Sequence, residues 1–282
     1  MDPDTSPRLH RRGLIAAGVA GLAAGTVTAP RAAAPRLSPT ASTTEGPYYF
    51  DARRVRSDIT EGLPGVPLEL RITVLDLGGQ PLAGMRVDVW HCDAQGRYSG
   101  YARQGDDRSL STEGQAFLRG TQPTDALGAA VFRTIYPGWY AGRTAHVHFK
   151  LLNGPRAVLT SQCFLPDALS EFLYTRLAPY ARGRLRDTLN AGDGIAIEAG
   201  GSVLGAVREE RDRYVATLTV VVDPEAEAPV DRPPRPGERP PGEAEGVGPD
   251  RPAGPTGSGW PAAGRRPAPS GEERTRSLVP GG

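Results

Sequence analysis

Between residues 38 and 222 the apolar side chains fall in short runs, rich in β-branched residues or alternating at every second position. Each run is closed by Gly, Pro or Asp. The runs are Leu68–Leu75, Met85–His91, Ala130–Tyr136, Ala145–Leu152, Ala157–Phe164 and Tyr214–Val222. Such runs predict strands, because successive strand side chains point to opposite faces. Gly78-Gly79 and Asp125 to Gly128 are expected turns. One stretch has helical spacing instead: Leu169, Phe172, Leu173 and Leu177 recur between Asp167 and Ala178, with Asp167 as cap and Pro179 as stop. Many short strands and little helix predict an all-β fold, an antiparallel β-sandwich with one short helix and long loops. About 185 residues are enough to close such a core.

Both ends differ from this middle. Arg11-Arg12 precede a mild apolar run, Leu14 to Val27, and Ala32-Ala33-Ala34 follow as a cleavage site. The run is shorter than the roughly 20 residues a membrane span needs, so residues 1–37 predict an export signal with a short spacer. Paired arginines before a Gly/Ala-rich core resemble a twin-arginine signal, whose route exports folded chains. The mature protein is then expected outside the cell or in its envelope, without a stable membrane span. Residues 223–282 hold 14 Pro and 11 Gly. A segment so poor in apolar surface cannot offset its chain entropy, and it predicts a disordered tail.

The charge excludes one class of partner. The 33 basic and 32 acidic residues leave a net charge of +1, spread evenly, with no basic stripe for a nucleic acid. Every basic residue except Lys150 is Arg, so an arginine in this chain is read as functional only where its site supports it.

The chain has four histidines. His10 lies in the signal and His91 ends a strand-like run alone, which predicts a structural role. His146 and His148 form His-Val-His within a run, and alternation puts both imidazoles on one face, about 7 Å apart along the strand. Both can then reach one metal ion. Carboxylates are scarce nearby, whereas tyrosines are not. Tyr140 follows the turn Pro137-Gly138-Trp139, and Tyr98 follows the Gly96 turn after Asp88-Val89-Trp90-His91. Phenolate is a hard anionic ligand that suits Fe(III). Two phenolates and two imidazoles around Fe(III) leave one net positive charge and an open position.

In order along the chain, five segments carry a family resemblance: Thr44-Glu45-Gly46-Pro47-Tyr48-Tyr49; Gly79 to Gly84 leading to Val87-Asp88-Val89-Trp90; Gly96-Arg97-Tyr98-Ser99; Arg143 to Phe149; and Arg186 to Gly194. Together they resemble the intradiol ring-cleavage dioxygenases, the family of the catechol and protocatechuate 3,4-dioxygenases. The resemblance implies a β-sandwich holding Fe(III) through Tyr98, Tyr140, His146 and His148, with Tyr140 and His148 axial. It implies that a catechol-type substrate is opened with O2 between its two hydroxyl-bearing carbons, to a muconate-type dicarboxylic acid. It places a pocket arginine at Arg143 and an active-site glutamine at Gln162. It makes Tyr140 the ligand that accepts a substrate proton. No helical dimerisation region precedes Thr44, so the chain resembles an exported branch, for which a homo-oligomer stays open. Tyr48, Tyr49, Tyr101 and Trp139 are candidates for shaping the pocket.

Cys92 and Cys163 are the only cysteines, and an even count in an exported chain predicts one disulfide between them. Two other functions compete. Asp76 to Val87 also resembles the opening of transthyretin-like or carboxypeptidase-regulatory-like binding sandwiches, which leaves the Tyr and His set unexplained. A divalent-metal hydrolase would use His146 and His148 alone.

Overall fold

In the computed structural model, which describes residues 36–229, each of the six expected runs forms a strand. They are β1 (Pro67–Asp76), β2 (Arg86–Trp90), β4 (Ala129–Ile135), β5 (His146–Asn153), β6 (Arg156–Phe164) and β8 (Tyr214–Val222). Two further strands, β3 (Arg119–Pro123) and β7 (Ala206–Glu209), are short and lack apolar alternation. The strands form two sheets, ordered β4-β1-β8-β7 and β3-β2-β5-β6. Their facing sides close one core of Leu68, Leu70, Ile72, Val74, Phe132 and Val220 against Val87, Val89, Val147, Phe149 and Leu151.

The sandwich is not wholly antiparallel. β1 and β8 run parallel, from Leu68 opposite Tyr214 to Asp76 opposite Val222. A parallel neighbour needs a crossover, and the long chain between these two strands, which includes the whole second sheet, provides it.

The expected helix is α1 (Asp167–Arg176), but Asp167 does not cap it. Pro166 occupies the N-cap without a side-chain bond, and the Asp167 carboxylate instead accepts from Arg186 Nη1 (2.9 Å) and the Asn190 amide (3.0 Å). Leu177 is already extended and Pro179 lies in a following 3-10 turn. A second helix, α2 (Gly194–Ala199), is capped by Asp193, whose side chain accepts from the Ile195 and Ala196 amides.

The domain extends past the boundary expected at Val222. Asn153 Nδ2 donates to the Pro224 carbonyl, and the Ala228 amide donates to the Ala157 carbonyl at 2.8 Å. The expected export signal and the remainder of the expected tail lie outside the described residues. Among the described residues no helix is long and apolar enough to cross a membrane.

Candidate active site

Alternation gives the second sheet two distinct faces. Val87, Val89, Val147 and Phe149 point into the core, so Asp88, Trp90, His146, His148, Gln162 and Phe164 share the opposite face. Pairing sets Trp90 opposite His148, His148 opposite Gln162, and His146 opposite Phe164. This polar face is covered rather than solvated: His146 and His148 are 2% and 3% exposed.

Two loops bring the phenols over it. The Asp93–Arg97 turn is tied by Asp93 Oδ1, which accepts from the Gln95 and Arg97 amides (both 2.9 Å). It leads into Tyr98, whose amide donates to Gln104 Oε1 and whose carbonyl accepts from Thr112 Oγ1. The Pro137–Trp139 loop lies directly on that turn. A Cβ at Gly138 would stand 2.5 Å from the Ala94 carbonyl oxygen, and one at Gly96, where φ is +80°, would meet the Trp139 carbonyl oxygen. Only glycine permits both this approach and that backbone.

Four donor atoms converge as a result. Tyr140 Oη lies 3.4 Å from Tyr98 Oη and 3.2 Å from His146 Nε2. His146 Nε2 lies 3.3 Å from Tyr98 Oη and 3.2 Å from His148 Nε2. His146 Nε2 is thus the atom that touches all three of the others. His146 Nδ1 approaches the Thr144 carbonyl at 2.7 Å. A carbonyl only accepts, so that nitrogen carries the proton and Nε2 presents a bare lone pair. His148 is held between Trp90, stacked at 4.8 Å and 12°, and its strand neighbours.

The electrostatics match the geometry. Burial, aided by the Arg143 charge, holds His146 well below its ordinary pKa, and burial with His146 does the same for His148. Both rings are therefore neutral, the form in which an imidazole can hold a metal. Burial raises Tyr98 well above the usual phenol range and raises Tyr140 to about 12, against the lowering influence of Arg143. Phenols in this condition ionise at neutral pH only beside a strong cation. Donors on one ion at about 2.0–2.1 Å lie roughly 3 Å apart, so the four atoms fit a single ion. Hard phenolate oxygens with imidazole suit Fe(III). Among the described residues no group of three or more His, Cys, Asp or Glu forms a metal-binding cluster; the groups beside the imidazole pair are the two phenols.

Arg143 is held on both sides. Its Nε donates to Asp193 Oδ2 (2.8 Å), Nη2 to Gln162 Oε1 (2.5 Å), and Nη1 reaches Tyr140 Oη at 3.5 Å. Gln162 in turn donates to the Thr44 carbonyl. Asp193 also receives the Thr144 amide, so one carboxylate caps α2, orients Arg143 and fixes the approach to His146. That role was missed from sequence, although an Asp before a short helix is a legible N-cap signal.

The pocket candidates separate. Tyr48 stacks on Tyr98 (4.4 Å, 18°) and Tyr101 meets its edge at 5.2 Å. Tyr49 lies behind, donating to Asp88 Oδ2 (2.9 Å) beside Trp90. Trp139 belongs to the core, under the Arg182 and Arg184 guanidinium groups. His91 is structural as expected, with Nε2 at Thr134 Oγ1 (2.6 Å) and Nδ1 at the Cys92 carbonyl (2.8 Å).

The expected disulfide is absent: Cys92 and Cys163 are both free and buried. Cys163 faces the core from β6, while Cys92 joins Trp90 and Tyr98 on the other face. Cys163 lies on β6 and Cys92 just past the end of β2, with β5 between and the side chains on opposite faces, so no rotamer brings the two sulfurs together.

Two phenols and two imidazoles converging over a covered sheet face form a set that could hold a metal ion, and the sandwich beneath it has known relatives. The family model described as Dioxygenase matches residues 44–190. Catechol 1,2-dioxygenase 1 of Acinetobacter lwoffii is 30% identical over 146 residues, 44% of this chain and 45% of that protein. Among solved structures, the intradiol ring-cleavage dioxygenase of Tetranychus urticae is 26% identical with a TM-score of 0.62, over 68% of this chain and 97% of that one. The dioxygenase domain of a dioxygenase–carbohydrate-binding protein fusion from Streptomyces sp. SirexAA-E is 29% identical with a TM-score of 0.51, over 66% and 99%. The chain belongs to the intradiol ring-cleavage dioxygenase family. It spans about half the length of the curated relatives it matches.

Proposed function

We propose that the chain is a non-haem Fe(III) dioxygenase that opens a catechol-type ring between its two hydroxyl-bearing carbons with O2, giving a muconate-type dicarboxylic acid. The observation that carries this reading is the convergence of Tyr98, Tyr140, His146 and His148 at 3.2–3.4 Å. A bound Fe(III) supplies Lewis acidity toward the catechol oxygens and draws electron density from the ring, opening it to O2.

The residues divide the remaining work. Tyr98, His146 and His148 are buried and would hold the ion as fixed ligands. Tyr140 is only partly buried and would be the ligand able to move, its phenolate oxygen taking a proton from the catechol. The Arg143 guanidinium, a permanent cation, stands beside Tyr140 Oη to offset negative charge on the ionised substrate. Gln162 and Asp193 keep it there. Tyr48 forms the aromatic wall nearest the ligand set. The arginine pair and apolar run within residues 8–34 support export of the folded chain.

Metal content and the visible spectrum test the reading. One iron per chain with a reddish phenolate-to-Fe(III) band is expected, and a colourless protein with stoichiometric zinc overturns it.

A further inference from the structure

Arg119 opens β3, and the sheet register sets it in one row with Trp90, His148 and Gln162 across four strands. It is 2% exposed. Its Nε donates to Ser99 Oγ and its Nη2 to the Ser99 carbonyl, both at 2.8 Å, and Phe50 lies flat against it at 4.2 Å. Ser99 adjoins Tyr98, so the guanidinium anchors the loop carrying one phenol ligand.

What sets Arg119 apart is its charge. Arg143 is paired with Asp193 and Lys150 with Glu45, whereas Arg119 has no acidic partner among the described residues. Asp88 borders the same small cavity but is already occupied, accepting from Arg86, Tyr49 and Thr121. That cavity, about 10 Å³ and bordered by Trp90 and Tyr49, has room for one water. Arg119 Nη1 has no hydrogen-bond partner among the described residues, and a water in that cavity would solvate the guanidinium without neutralising it. Burying a cation without a counter-charge costs stability, so its retention calls for an anion that appears only in the working protein.

We propose that Arg119 is a positioning residue of the metal site, whose unpaired charge strengthens the binding of anionic ligands, the ionised catechol among them, to the bound ferric ion. The proposal rests on the Fe(III) reading above. Two strand spacings separate Arg119 from His148, about 10 Å. At an effective dielectric of about 20, a unit charge at that distance changes the affinity of a monovalent anion roughly tenfold.

The test is a visible titration of the full ferric protein with azide. The Arg119→Gln variant keeps a hydrogen-bonding group and loses the charge; Arg119→Lys keeps the charge. Azide should bind Arg119→Gln about tenfold more weakly than wild type, with Arg119→Lys close to wild type. Ala52→Glu, at the edge of the cavity, supplies the missing carboxylate without touching Arg119 and should weaken azide in the same direction. This variant keeps the test decisive should Arg119→Gln fold poorly. Unchanged azide affinity in Arg119→Gln or Ala52→Glu overturns the proposal, as does an equal loss in the Lys and Gln variants. A wild-type protein without iron would instead overturn the Fe(III) reading itself.

Discussion

The two sheets differ in what their outward faces do. On β4 and β8 the alternation ends in solvent: Val131, Arg133, Thr217 and Thr219 are exposed, while Ala130, Phe132, Leu218 and Val220 are buried. On β2 and β5 the outward residues Asp88, Trp90, His146 and His148 are as buried as the core-facing ones. Covering a polar face with loops costs desolvation at each group unless a partner meets it. The first sheet needs only its apolar face to close the sandwich. The second uses its apolar face for the same purpose and holds a converging polar set on the other, which is a site rather than a surface.

Removing a member of that set should do the most damage. His146→Ala leaves three donors, and both iron per chain and ring cleavage should fall, the latter by more than the roughly 10²–10⁴-fold of a lost acid–base group. Full iron content in this variant would mean that the outward face of the second sheet is not the metal site.

The two tyrosines sharpen the same contrast. In Tyr140→Phe the substrate loses a proton acceptor, so turnover should fall roughly 10²–10⁴-fold, and the deficit should shrink as pH rises toward the ionisation of the catechol. On the proposed roles Tyr98→Phe removes the ligand that stays bound, so its visible band should shift with and without a slow catechol. Tyr140→Phe should alter mainly the substrate-free spectrum. Equal changes in both substrate complexes would refute the division of roles.

Phe132, fully buried on β4, supplies the opposite case. Phe132→Ala should cost about 3–5 kcal/mol of stability, read by denaturant unfolding, while the ferric spectrum stays that of wild type. A spectral change would show that the core couples to the metal site.

How much was legible in the sequence follows the same division. Strands with β-branched alternation, such as Tyr214–Val222, are evident because packing against one apolar face selects them. β3 escaped notice because Arg119-Gly120-Thr121-Gln122-Pro123 carries Gly and Pro, and what holds it is pairing with β2. The parallel β1–β8 pair leaves no local mark, since strand direction depends on the route of the chain. In the site, His-Val-His declares its shared face through period two alone. Tyr98 and Tyr140, some forty residues apart, meet only because the Gly96 and Gly138 turns fit together. Arg119 and Asp193 act through partners distant in sequence, and residue type alone does not reveal that.

The remaining histidine among the described residues gives the smallest of these effects and the most specific. His91 follows Trp90 but points the other way, into the seam between the sheets, where it meets Thr134 of β4. Burial lowers its pKa from 6.5 to about 4. The fold therefore holds the neutral ring, whereas the unfolded chain takes up a proton below about pH 6.5. The stability owed to the neutral ring is whole above that pH and is lost as pH falls toward about 4, amounting to roughly 3 kcal/mol once the unfolded His91 is fully protonated. Acid also protonates His146 and His148 in any unfolded chain, so the informative quantity is the difference between wild type and His91→Gln. Urea unfolding at pH 7 and pH 4 should show wild type losing about 3 kcal/mol more than the variant between the two values. Parallel losses would mean that the seam between the sheets admits a charged imidazole, and that burial on the core side is no stricter than on the face that holds the site.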